Sequence, residues 1–279
     1  MQSYKPTRRI YLHGDANAIG GRLQTPVEQF VPTVTPVSLP GVGGLTTASS
    51  EGFTFEDIVS CSSANTRVTS ADHGSDGSAT ILVTAAVTDL NILEVFSAKR
   101  IVTQLTLTIP GDGGDIGVCT LGSAYEGVRI GGVPCHLKLT QGLQRLDRTP
   151  EGRSRSLTWS DVRQVGRTQA EALISSFKGR NDNDAYQWAQ KKYGWLTAEP
   201  APGTAKALCS LIDGLESSDS VGCHGHVIEI PHFGRIILGE LLVGREYARL
   251  IGVRADLGCT ISGGITAACG GGSGVGADD

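Results

Sequence analysis

The stretch Ala79-Thr-Ile-Leu-Val-Thr-Ala-Ala-Val-Thr88, with Ile101-Val-Thr-Gln-Leu-Thr-Leu-Thr-Ile109 after it, decides the fold class. In the first run Ile81, Val83, Ala85 and Val87 alternate with Thr80, Leu82, Thr84 and Ala86. In the second, Ile101, Leu105, Leu107 and Ile109 alternate with Val102, Gln104, Thr106 and Thr108. Successive side chains of a strand point to opposite faces, so period two with Val, Ile and Thr reads as strand. A turn at Pro110-Gly-Asp-Gly-Gly-Asp115 follows, and Val133, Cys135, Leu137 and Leu139 resume the alternation. Residues 226–257 form a second strand region, with Ile251, Val253, Ala255 and Leu257 on one face and Arg254 and Asp256 on the other. Glycine clusters punctuate these runs, as antiparallel strands require. The expectation is a mainly β protein, an antiparallel β-sandwich. Asp57-Ile58, Ser63-Ala64 and Val68 recur loosely as Asp89-Leu90, Ser97-Ala98 and Val102, which keeps a β-solenoid as the alternative.

A different sequence interrupts the β pattern. Thr168-Gln-Ala-Glu171 has the form of a capping box, with Leu173 and Phe177 following at i, i+4. Asn183 or Asp184 starts a second helix with Ala185, Trp188 and Ala189 on one face and Gly194 as its stop. Thr204 starts a third, with Leu208, Leu211 and Ile212 as its stripe and Gly214 as its end. The predicted organisation is an extended, proline-rich arm over 1–52 and a β domain over 53–157, interrupted by a helical insertion over 158–216. The β domain resumes over 217–269, and a flexible glycine-rich tail spans 270–279. Pro26, Pro32, Pro36 and Pro40 make residues 24–52 irregular, yet Val27, Phe30, Val31, Val34, Val37, Leu39 and Val42 are too many apolar side chains for a solvated linker. The arm is expected to lie across a neighbouring copy in a homo-oligomer.

With 39% hydrophobic and 19% charged residues the chain is globular, and a net charge of −4 does not point to nucleic acid. Residues 141–195 carry ten Lys/Arg against six acids, net +4, leaving −8 for the rest. This segment also holds Trp159, Trp188 and Trp195, and Trp, Tyr and Arg are favoured anchors of protein contacts. A protein partner at the insertion therefore ranks above nucleic acid. No run approaches the roughly 18 apolar residues of a membrane-spanning helix. Residues 1–9 are polar and basic with no signal-length apolar run behind them, so the cytoplasm is the default compartment.

The sharpest polar cluster is Cys223-His-Gly-His-Val-Ile-Glu-Ile-Pro-His232. If His224 and His226 lie at i, i+2 on one strand they share a face, and with His232 they offer a ligand set for zinc or another divalent metal. Glu229 falls out of phase with them, and no second half-motif exists, so the expectation is that no catalytic metal binds. His13-Gly-Asp15 and Asp72-His-Gly-Ser-Asp76 could each hold an acid–base pair, but the small residues around them read as turns. The seven cysteines include no CxxC pair and are read as mostly free thiols, with Cys259 and Cys269 the candidate disulfide. No GxSxG elbow or phosphate-binding loop is present, and no catalytic residue is assigned.

Three stretches resemble the bacterial choice-of-anchor P domains, which are secreted, β-rich surface domains. They are Val87-Thr-Asp-Leu-Asn-Ile-Leu-Glu-Val-Phe-Ser-Ala-Lys-Arg-Ile-Val102, Tyr125-Glu-Gly-Val-Arg-Ile-Gly-Gly-Val-Pro134 and Glu229-Ile-Pro-His-Phe-Gly-Arg-Ile-Ile-Leu238. The resemblance covers about half the chain and is carried by strand-and-turn sequence; the helical insertion is extra. The resemblance implies no catalytic residues, and it implies a structural role at the cell surface. Three function classes follow in order: a self-associating structural or interaction protein, a metal-dependent enzyme using His224, His226 and His232, and a ligand-binding module.

Overall fold

The computed structural model describes residues 9–23, 29–41, 43–74, 77–144, 147–148, 154–178, 183–203, 205–216, 222–257 and 261–275. Two antiparallel sheets pack face to face, as the alternation requires, and a helical pair covers part of one outer face. The first sheet runs Gly222–His224, Val227–Ile230, Gly234–Gly244, Tyr247–Leu257, Ile261–Val275, Arg9–Leu23 and Gln29–Val34, with Lys206–Ser210 on Gly234–Gly244 and Val37–Leu39 on Arg9–Leu23. The second is built on Ala79–Ile92 and Phe96–Ile109, with Ser63–Asp72 and Gly44–Ser50 beyond on one side. Leu12, Ile81, Leu105 and Leu241 meet in one core cluster and Ile19, Val87, Phe96 and Leu238 in another, so both sheets feed both clusters. The fold is a sandwich, not a solenoid.

In the first sheet the two clusters are separated by a change of phase, and the second sheet has a change of phase of its own within one cluster. On Gly234–Gly244 the inward side chains are Ile236 and Leu238, then Leu241 and Val243; on Tyr247–Leu257 they are Ala248 and Leu250, then Val253 and Ala255. The phase breaks at Gly239 and Gly252, the facing positions that the ladder skips. The skip continues across Ile261–Val275 to Ala18. In the second sheet Val87 gives way to Leu90, and Ile101 to Ala98, around the skipped Asp89 and Lys99. A one-residue change of phase moves every later side chain to the opposite face. Val253 and Ala255 thus point inward as expected, but Ile251 does not share their face: it lies opposite Glu240, and Leu250 is the inward side chain beyond the break.

Among the described residues helix is confined as expected: apart from the single turn α1 (Gln141–Gln144), it lies in α2 (Trp159–Phe177) and α3 (Asn183–Thr197). Three details differ. The capping box of α2 is Thr158 with Asp161, while Thr168 sits mid-helix and donates to the Gln164 carbonyl. Gly194 lies inside α3 and does not end it. The third helix does not form. Lys206–Ser210 and Ile212–Glu216 are strands, because Ala207, Cys209 and Leu211 alternate into the core more completely than Leu208, Leu211 and Ile212 mark a helix.

The terminal segments also differ from expectation. The region read as an arm over 1–52 contains the long strand Arg9–Leu23 in mid-sheet, then Gln29–Val34, Val37–Leu39 and Gly44–Ser50. Pro32 is tolerated because Gln29–Val34 pairs on one side only, and Pro36 follows the break at Thr35. The region read as a flexible tail over 270–279 enters the strand Ile261–Val275, paired on both sides; residues 276–279 lie outside the described residues. Small residues suit this sheet because the layers approach closely. At Gly14 a Cβ would overlap Ile81 Cδ1 and lie 2.7 Å from Val68 Cγ1.

Candidate functional site

The histidine cluster folds as a hairpin, not as one strand. Gly222–His224 and Val227–Ile230 pair through a two-residue turn, Gly225-His226. The two rings therefore go to different helices. His224 stacks on Phe177 of α2 at 4.0 Å between centroids, and its Nδ1 lies 2.8 Å from Ser176 Oγ. His226 packs edge-on against Tyr193 of α3, with Nε2 3.1 Å from the hydroxyl. His232 is exposed on the following turn at φ +62°. Glu229 Oε2 is 3.9 Å from His224 Nε2, but its other oxygen accepts from Arg235 Nε at 2.9 Å. Among the described residues no three His, Cys, Asp or Glu side chains gather as a ligand group.

What the sequence did not signal is the carboxylate behind His226. Glu240 is only 4% exposed and faces α3 from the sheet. Its Oε1 accepts from Lys192 Nζ at 2.9 Å and from the Tyr193 hydroxyl at 3.4 Å. Arg254 Nε lies 3.1 Å from Oε2 as an ion pair without hydrogen-bond geometry, so Oε2 has no hydrogen-bond partner among the described residues. Burial raises the Glu240 carboxyl, and the charges of Lys192 and Arg254 outweigh it, leaving the group below its ordinary range. Burial lowers Lys192 and pushes the Tyr193 phenol up. Burial also pulls His226 down to about 4, against a smaller upward pull from Glu240. Neutral His226 can donate from Nε2 to the Tyr193 oxygen while Tyr193 donates to Glu240, which satisfies both contacts. The chain ties α3 to the sheet.

The tryptophans are apart, each with an internal partner. Trp159 Nε1 donates to Asp115 at 2.9 Å, Trp195 Nε1 to the Lys192 carbonyl at 3.0 Å, and the Trp188 ring lies 4.5 Å from the Arg235 guanidinium. His13 and Asp15 pair at 2.7 Å on an exposed strand face, not in a turn. Asp72 caps the Gly74 amide, and His73 reaches Thr80 at 2.9 Å; Asp76 lies outside the described residues. Cys61, Cys119, Cys135, Cys209 and Cys223 are free, with Cys209 pushed up by burial. The Cys259 and Cys269 pairing lies outside the described residues: Cys259 is not among them, and of Cys269 only the backbone is described.

Two surface features remain. A cleft of about 360 Å³ opens between Ala124–Glu126, the Arg129–Ile130 strand and the ribbon of His136–Leu139 with Ile212–Glu216. On another side the edge strand Gly44–Ser50 pairs, among the described residues, only with Ser63–Asp72. The model of one protein family, a domain of unknown function (DUF8256), matches residues 10–244. The chain belongs to this family. The matched span takes in the second sheet, part of the first and, among the described residues, all three helices; it ends with the strand Gly234–Gly244, before Tyr247–Leu257 and Ile261–Val275 of the first sheet. No curated protein and no solved structure matches the chain. Among the described residues no helix is long and apolar enough to cross a membrane.

Proposed function

We propose that this DUF8256 protein is a structural, self-associating module that pairs with a second copy of itself through the open strand Gly44–Ser50. The observation that supports it is the chemistry of this edge. The strand Gly44-Leu-Thr-Thr-Ala-Ser-Ser50 has no charge and no proline, and Leu45 is 58% exposed. Edge strands exposed to solvent are ordinarily protected by Lys, Pro or a covering element, because their free amides and carbonyls accept another strand. The edge Gln29–Val34 has such protection in Pro32 and the break at Thr35. Antiparallel pairing about Thr47 would bring the same patch of both copies together, giving a closed two-fold dimer.

Sedimentation of the intact chain at about 100 μM, well above a micromolar dissociation constant, tests the reading. Leu45→Glu with Thr47→Glu sets like charges against each other across the pair, while within the sheet position 47 faces Arg67, which accommodates the new carboxylate. The expected outcome is a dimer or larger mass that falls to the monomer in the double variant with its circular dichroism unchanged. A monomeric intact protein at that concentration would end the proposal.

A further inference from the structure

We propose that the cleft beside Tyr125 binds a small zwitterion with an apolar body, an α-amino acid with an apolar side chain. Its volume of about 360 Å³ falls within the roughly 300–1,000 Å³ of small-molecule sites. Val128, Leu137 and Leu139 supply aliphatic walls, and the Tyr125 hydroxyl is spent on the Gly252 carbonyl at 3.0 Å, leaving its ring as apolar surface. Two charged residues from different elements also line the cleft. Arg129 stands on the second sheet, and its Nε donates to the Gly132 carbonyl at 3.1 Å. Its terminal amino groups have no hydrogen bond or ion pair among the described residues. Glu216 ends the other strand of the ribbon, opposite His136, and has no hydrogen bond or ion pair among the described residues.

A cation and an anion that share a cleft without closing on each other complement a ligand carrying both a carboxylate and an ammonium. A guanidinium offers a carboxylate paired donors, and the carboxylate of Glu216 accepts from an ammonium. The apolar walls then select the side chain. The site is distinct from the Gly44–Ser50 edge and does not depend on self-association.

Titration calorimetry of the full chain with L-leucine, leucinamide and N-acetyl-leucine tests the assignment. L-Leucine should bind, and loss of either charged end should weaken binding about tenfold or more, as a charge-assisted hydrogen bond is worth. Arg129→Gln should weaken L-leucine to the same degree yet leave leucinamide unaffected, and Glu216→Gln should do the same for N-acetyl-leucine. Both substitutions are at exposed positions, so the fold is retained. Absence of binding to L-leucine and L-phenylalanine at about 10 mM, a concentration that reveals millimolar affinity, overturns the proposal. So does binding that neither variant changes.

Discussion

At the scale of single residues, His226 couples the stability of this protein to pH. Its ordinary value is 6.5, and burial pulls it to about 4 in the folded chain. Between those values the unfolded chain takes up a proton that the folded one refuses. The contribution is therefore complete above pH 6.5 and is lost as pH falls toward 4. About 2.5 pH units correspond to roughly 3 kcal/mol. Urea unfolding of the wild type at pH 7, 5.5 and 4 should show this decline, and His226→Gln should flatten it; equal slopes would show that His226 is not its source. The contribution of Glu240 is lost at lower pH, below its ordinary 4.5. Removing that charge is a separate matter. Glu240→Gln leaves Lys192 and Arg254, which are 18% and 32% exposed, without their shared counter-ion. Stranding a largely buried charge costs about 3 kcal/mol, and a urea midpoint at pH 7 measures it. None of this network was visible beforehand. Glu240 is the one acid in a run of apolar residues, and its cations come from elsewhere in the chain: Lys192 from the packing of α3 and Arg254 from the neighbouring strand Tyr247–Leu257.

At the scale of elements, the skipped row through Gly239 and Gly252 is the device that gives the first sheet two inward phases. Gly239 has φ +62°, and a Cβ there would lie 3.0 Å from Leu211 Cβ and 3.1 Å from its amide nitrogen, which donates to the Gly239 carbonyl. Gly43 has φ +78° with open space around it. Gly239→Ala should therefore cost about 2–3 kcal/mol and Gly43→Ala about 1, read from thermal midpoints, since only the first adds a clash to the backbone strain. Similar costs at the two sites would remove any special role for the row. The same elements show what local sequence could reveal. The alternation of Ala79–Ile92 and Phe96–Ile109 follows from burial on one face and was readable directly. The start of α2 was not, because Thr158-Trp-Ser-Asp161 and Thr168-Gln-Ala-Glu171 have one form. Val162, Gly166 and Ala170 are buried, so the stripe extends back to the earlier box. The strands at 206–216 were misread because Leu208, Leu211 and Ile212 fit a helical stripe, while the ladder to Gly234–Gly244 that decides the matter is remote in sequence.

At the scale of the whole molecule, the glycine-rich C-terminal segment completes the first sheet. The strand Ile261–Val275 joins Arg9–Leu23 to Tyr247–Leu257 and so holds the first strand of the chain to the body of its sheet. Its composition resembled a linker, because glycine loses more backbone freedom on folding than any other residue. Two paired edges offset that cost, and no local pattern announces a partner some 250 residues away. Without this strand Arg9–Leu23 would keep only the short edges Gln29–Val34 and Val37–Leu39. Leu12, Ala16, Ala18 and Ile19 would then lose their place over the second sheet. The family match ends at residue 244, before both C-terminal strands. A chain cut there keeps the matched span yet lacks two strands from the middle of a sheet. Core side chains such as Leu250 and Val253, each fully buried, go with them, and losing each large core side chain costs about 2–5 kcal/mol. A whole domain has only about 5–15 kcal/mol of stability to lose. Residues 1–244 alone should therefore show no cooperative thermal transition and poor dispersion in amide proton spectra. Adding residues 245–279 as a separate peptide should restore both if the strands are required as a sheet component. A cooperative melt of the 1–244 fragment by itself would show that the matched span folds independently.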